Sequence, residues 1–158
     1  MTRVLLLASA VVVLDQVTKV IALDRLTHGI PVDVIPGWLA MTLVLNPGLA
    51  FGLLGNIPKG WRWVVALLSL VALVVLARVA LRVLPTGGWP AHLAIGLVFG
   101  GAVGNLIDRA RFGAVVDFVD VHWRNYHWPA FNVADSAITL GVALLALRLL
   151  SHRGAEPA

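Results

Sequence analysis

The sequence predicts a mainly α-helical integral membrane protein: four membrane-crossing helices with a small β-sheet lying on one membrane surface. Three observations carry this. The 158 residues are 59% hydrophobic and only 13% charged, with a mean hydropathy of +0.91. Soluble domains run nearer half apolar and a quarter charged. Four segments are apolar over roughly the 20 residues that a bilayer crossing needs. Five of the six tryptophans (Trp38, Trp61, Trp89, Trp123 and Trp128) fall between those segments, and Trp63 opens the second. That is the distribution of an interfacial aromatic belt.

The spans are expected at about 4–23, 63–84, 91–107 and 133–150, within one domain covering 1–158. The N-terminus, with Arg3, an apolar stretch and Ala8-Ser9-Ala10, has the parts of a cleavable signal peptide. The apolar run continues past Val20, which suits a retained span better. The second span carries no acid and reads as scaffold, with Arg78 and Arg82 able to snorkel to headgroups. The third is short and glycine-rich. Gly96, Gly100 and Gly104 recur every four residues, with Asp108 one turn on, and such stripes let helices approach closely. Gly101, Asn105 and Arg109 form a neighbouring stripe.

Pro85 to Pro90 reads as a tight turn. Asp24 to Arg62 is long, punctuated by prolines, and strand-like over Leu39 to Leu45. Asp108 to Asn132 is long and polar. With four spans these two long connections share one side of the bilayer, where function is expected. Charge does not orient the chain: with both termini inside, five basic residues lie on the inner face against six outside. The net charge of +4 is scattered, which fits membrane lipid headgroups and gives no sign of nucleic acid. With no cysteines, disulfides, thiol catalysis and cysteine metal sites are excluded.

Seven of the eight acids (Asp15, Asp24, Asp33, Asp108, Asp117, Asp120 and Asp135) fall in the first span or on the side that carries the two long connections. Ionisable groups at membrane depth are costly and need a partner or a task. Asp15 and Lys19 stand four apart in the order that favours an ion pair on one helix face. They serve either as a structural pair or as part of a relay. Asn105, Asp108 and Arg109 sit at a helix mouth, where they either order a pocket or solvate the end. Asp117 lies among apolar neighbours in Gly113-Ala114-Val115-Val116-Asp117-Phe118. Asp135 opens the fourth helix, where Asn132 can cap and an acid three residues on favours the helix dipole.

The alternative to capping alone pairs Asp117 with Asp135. Two carboxylates in a low-dielectric site share a proton and split their pKa values. The ionised member can then take a proton from water while the protonated one polarises a carbonyl. No metal or cofactor is required. His122 and His127, five apart, lack single-helix ligand spacing, so no metal is expected there; zinc-protease and G-x-S-x-G motifs are absent. The rival reading is a small proton- or ion-conducting membrane protein using Asp15, Lys19, Asp108 and Asp135.

The blocks Asp15-Gln16-Val17-Thr18-Lys19, Asn46-Pro47-Gly48-Leu49-Ala50-Phe51-Gly52, Gly104-Asn105-Leu106-Ile107-Asp108-Arg109, Gly113 to Phe118, and Phe131-Asn132-Val133-Ala134-Asp135-Ser136 together resemble the bacterial lipoprotein signal peptidases, also called signal peptidase II. They occur in the family's order along essentially the whole chain. The resemblance implies four transmembrane helices in the bacterial cytoplasmic (inner) membrane, with both termini cytoplasmic. It implies a small extracytoplasmic β-sheet cradle, formed around Leu39 to Gly52, with the active site near that face. It implies a catalytic aspartate pair, Asp117 and Asp135. It also implies substrate-binding or supporting roles for Asn46, Gly48, Phe51, Asn105, Asp108, Arg109, Asn132 and Ser136, and structural roles for Asp15, Lys19, Gly100 and Gly104. The implied reaction removes the signal peptide from a diacylglyceryl-modified prolipoprotein, just before the lipidated cysteine. The implied enzyme acts as a monomer and is blocked by globomycin-like inhibitors.

Overall fold

The computed structural model describes residues 1–48, 58–84 and 88–153. Its order is α1 (Thr2–Arg25), β1 (Val32–Ile35), β2 (Leu39–Asn46), a 3-10 turn (Lys59–Trp61), α2 (Arg62–Val83), α3 (Gly88–Phe112), β3 (Val115–Trp123), β4 (Tyr126–His127) and α4 (Val133–Arg153). Among the described residues three helices, α1, α2 and α3, are long and apolar enough to cross a membrane. The sequence placed the third span at 91–107, but α3 is 25 residues long. Its helical hydrogen bonding runs on through Asp108, Arg109 and Arg111, which the hydropathy reading excluded. It also starts at Gly88, so the turn expected over Pro85 to Pro90 already ends in helix; residues 85–87 lie outside the described set. Pro90 is tolerated in the first helical turn, where backbone N–H groups lack partners in any case.

The bundle inverts the usual arrangement of large apolar side chains inside. Leu5, Leu6, Val13, Leu14, Val17 and Val20 of α1 are exposed, as are Leu67, Leu68, Val71 and Val75 of α2. The buried set is rich in small residues, among them Ala8, Ala91, Ala94, Ala134 and Ala137. In lipid the apolar exterior costs nothing, and small residues let helix backbones meet. Helix α3 is central: it packs most extensively on α4 and α1 and less on α2. Its two glycine stripes face different neighbours. A Cβ on Gly100 would sit 2.7 Å from the Ala8 carbonyl oxygen and 2.8 Å from Val11 Cβ, both on α1. A Cβ on Gly101 would collide with the Ala134 carbonyl oxygen of α4.

The sheet is four-stranded and antiparallel in the order β1-β2-β3-β4. Strand β2 was expected over Leu39 to Leu45 and runs one residue further. The expectation that the sheet lies around Leu39 to Gly52 needs correction, because half of it, β3 and β4, comes from the connection read as polar loop. Residues 49–52 lie outside the described set. The β2–β3 register pairs Leu39 with Val121 and Met41 with Val119, shifts, and then pairs Val44 with Asp117 and Asn46 with Val115. That shift brings Asn46 to the base of β3, where the chain leaves α3.

Candidate active site

Four elements converge where the sheet meets α1, α3 and α4. Helix α1 brings Asp15 and Lys19, α3 brings Asn105, Asp108 and Arg109, β3 brings Asp117, and α4 begins with Asp135 just after Asn132. All except Arg109 and Asp135 are buried; Asp15 and Asn132 are fully so, at 0% exposure, and Asp117 is 2% exposed.

The deeper part is an ion cluster. Lys19 Nζ lies 2.9 Å from Asp15 Oδ2 and 2.7 Å from Asp108 Oδ2, and donates to Asn105 Oδ1 at 3.0 Å. Asp15 Oδ1 accepts the Ala134 N–H at 2.9 Å, and Asp108 Oδ2 accepts the Val116 N–H at 3.1 Å. Gln16 Nε2 bridges the acids, donating to Asp15 Oδ2 at 3.2 Å and Asp108 Oδ1 at 3.0 Å. The cluster ties α1 to α3, to the start of β3 and to the start of α4. The expected Asp15–Lys19 pair is therefore present and fixes element positions. Gly104 belongs with it, because a Cβ there would lie 2.5 Å from Asp15 Oδ2.

The second part contains the two aspartates, linked through two asparagine amides. Asn105 Nδ2 donates to Asp135 Oδ1 at 2.8 Å, and Asn132 Nδ2 donates to Asp117 Oδ1 at 2.7 Å. Asn132 Nδ2 also lies 3.3 Å from Asn105 Oδ1, which closes the chain. Lys19, by donating to Asn105 Oδ1, sets which end of that amide faces Asp135. Asn46 Nδ2 donates to the other oxygen of Asp117 at 3.1 Å. Asn132 also caps α4, since its Oδ1 accepts the Asp135 N–H at 2.9 Å. Capping and aspartate contact are thus two functions of one side chain, not alternatives. Burial, and secondarily the charge of Asp135, push Asp117 up to about 7 against the opposing hydrogen bonds from Asn46 and Asn132.

Of the other expected residues, Arg109 Nη2 donates to the Gly48 carbonyl at 2.8 Å, and Asn46 Oδ1 accepts the Gly48 N–H at 3.0 Å. Gly48 is therefore held from both sides. Ser136 Oγ donates to the Asn132 carbonyl at 3.1 Å. Phe51 lies outside the described residues.

A cavity of about 700 Å³ opens between α2, α3 and α4. Its walls are apolar, with Leu73, Leu76 and Ile138 among them, and Asn46, Asn105, Arg109 and Asp135 form its polar end. Asp117 is not among its lining residues; it sits behind Asn46, which lines the cavity and holds it. Sequence reading missed this cavity's wall at Trp128 to Phe131. The paired prolyl-aromatic run there was the available signal.

Asp135 thus lies at the polar end of an apolar cavity, with Asp117 linked to it through Asn132 and Asn105. The family model described as signal peptidase (SPase) II matches residues 7–151. The chain belongs to the signal peptidase II family. It is 44% identical to a lipoprotein signal peptidase of Geobacter metallireducens, over 94% of this chain and 91% of that one. Against the lipoprotein signal peptidase of Geobacter sulfurreducens the identity is 50%, over 87% and 85%. For that of Pseudomonas putida it is 45%, over 95% and 88%. A bacterial membrane enzyme solved by the in meso method at 2.3 Å resolution superposes with a TM-score of 0.79 at 34% identity, covering 99% of this chain and 93% of that one. As a signal peptidase II this is a membrane protease of lipoprotein processing.

Proposed function

We propose that the chain is an aspartic endopeptidase of the bacterial inner membrane that removes signal peptides from diacylglyceryl-modified prolipoproteins, cutting just before the lipidated cysteine. The observation that carries this is the Asp117–Asn132–Asn105–Asp135 chain of side chains, which reaches the polar end of an apolar cavity at Asn105 and Asp135. Helix α4 is the fourth span: its 21 residues cover about 32 Å at 1.5 Å each, close to the thickness of a hydrocarbon core. With four spans both termini are cytoplasmic, and the sheet and the aspartates lie at the extracytoplasmic face.

Asp117 and Asp135 are the catalytic residues and hold one proton between them. Asp117, with its pKa near 7, is the protonated member and donates a hydrogen bond to the scissile carbonyl oxygen. Asp135 is ionised and takes a proton from a water molecule whose oxygen forms the new bond to the carbonyl carbon. Collapse of the tetrahedral intermediate breaks the C–N bond, and a dyad proton passes to the departing cysteine nitrogen. The products are a signal peptide carboxylate and a lipoprotein with a free amine. Asn46, Asn105 and Asn132 keep the carboxyls oriented, while Arg109 and Gly48 shape the entrance. The gap between α2 and α4 admits the lipid sideways from the bilayer, so one chain suffices as a monomer. A globomycin-like inhibitor would occupy the same cavity.

The rival relay reading is disfavoured by the partnering of Asp15, Lys19 and Asp108, which close on one another at one depth. The test is a gel-shift assay of one precursor with and without its diacylglyceryl group, with mass spectrometry of the new N-terminus. Cleavage only of the lipidated form, before the modified cysteine, is expected. Equal rates on both forms would show the substrate class to be wrong.

A further inference from the structure

We propose that Asp120, His122 and His127 form a binding site for a borderline first-row divalent cation of the zinc class on the β3–β4 hairpin. The expectation of no metal at these histidines presupposed helical spacing. On a hairpin a separation of five is instead what sets two residues opposite each other across a two-residue turn. His122 pairs directly with His127, flanking the Trp123–Tyr126 pair, and Arg124 in the turn adopts φ +56°. Asp120 precedes His122 by two, so alternation puts both on one face of β3, the face opposite that of Asp117.

Three potential ligand atoms, one from each side chain, lie within 4.8 Å of one another. His127 Nδ1 is 3.1 and 3.0 Å from the two carboxylate oxygens of Asp120. The two imidazoles stack, with ring centroids 4.9 Å apart and planes at 21°. His122 Nδ1 is buried and has no hydrogen-bond partner among the described residues. An orphaned buried ring nitrogen beside a second imidazole and a carboxylate is the arrangement a cation would satisfy. Two imidazole nitrogens and one carboxylate oxygen suit zinc; magnesium and calcium demand all-oxygen shells. Three protein ligands leave one tetrahedral position for water. His127 is exposed, with 55% of its side chain accessible, so the cation has a route in. Trp128, whose N–H donates to the Val121 carbonyl at 2.8 Å, follows His127 directly and lines the cavity. A cation here would brace that wall from outside without touching the aspartates.

The test is isothermal titration of metal-stripped full-length protein in detergent with zinc, repeated with His127→Ala, His122→Gln and, as a control for other histidines, His92→Ala. One zinc per chain is expected for wild type and His92→Ala, with affinity falling about tenfold or more in the other two and no competition from excess magnesium. Retained cleavage of precursor certifies that each variant is folded. Zinc affinity unchanged in folded His127→Ala, or no zinc uptake by wild type, would overturn the assignment and leave the Asp120–His127 hydrogen bond as a brace of the hairpin alone.

Discussion

Two clusters of buried and half-buried acids lie side by side in this protein, and they are built differently. In the Asp15–Lys19–Asp108 cluster a cation stands within 2.9 Å of both carboxylates. Around Asp117 and Asp135 the direct donors are neutral amides, from Asn46, Asn105 and Asn132. A buried carboxylate beside an ammonium can remain charged and tie helices together. A carboxyl buried beside a second acid is pushed toward protonation instead, and at Asp117 burial and the charge of Asp135 outweigh the opposing amide hydrogen bonds to bring the pKa to about 7. On the proposed mechanism, the first arrangement braces the fold and the second holds the proton used in chemistry.

The largest effect that would break this contrast is on stability. Lys19→Met strands two buried carboxylates, and losing one partner of a buried ion cluster costs about 3–5 kcal/mol. A marked drop in the thermal unfolding midpoint in detergent is expected, with cleavage falling alongside it. Asp117→Asn, which removes an acid that makes no direct ion pair among the described residues, should leave that midpoint unchanged or slightly raised. A lower midpoint in Asp117→Asn than in Lys19→Met would reverse the comparison. Next in size is Gly100→Leu. It drives a side chain into the Ala8 backbone and should cost about 1–3 kcal/mol by the same measurement; a neutral result would mean that α1 and α3 are not held as closely as described.

The third effect is on pH dependence, and its sign follows from the raised pKa of Asp117. The folded chain keeps a proton there up to about pH 7, whereas an unfolded aspartate releases its own near pH 4. Stability should therefore decline as pH rises from about 4 to about 7, and level off above that, since the unfolded state binds fewer protons in between. Asp117→Asn should flatten that slope. Cleavage should likewise fall as pH climbs through about 7 and the pair loses its shared proton. A wild-type rate still rising there would remove Asp117 from the proton-holding role.

The helices were legible because 20-residue apolar runs admit few other readings, and Asn132 announced its helix start through capping chemistry. The strand β3 was not. Residues Val115, Val116, Asp117 and Phe118 are all buried, so the alternation that marks a half-exposed strand is missing, and two aspartates disguise the run as a polar connection. Asp117 and Asp135 were singled out by resemblance and by their apolar or capping surroundings. What joins them, the Asn105–Asn132 contact, spans 27 positions and depends on how α3 and α4 pack. The proximity of His122 and His127 was hidden for a simpler reason: spacing has meaning only once the secondary structure is known.

The most direct test is cleavage of a lipidated precursor by purified Asp117→Asn and Asp135→Asn, measured beside the thermal unfolding midpoint of the same preparations. Loss of turnover by about 10³-fold or more in both variants, at midpoints no lower than wild type, is the expected result. Substantial turnover by either variant, or loss of activity only in step with unfolding, would contradict the assignment of the reaction to these two carboxyls.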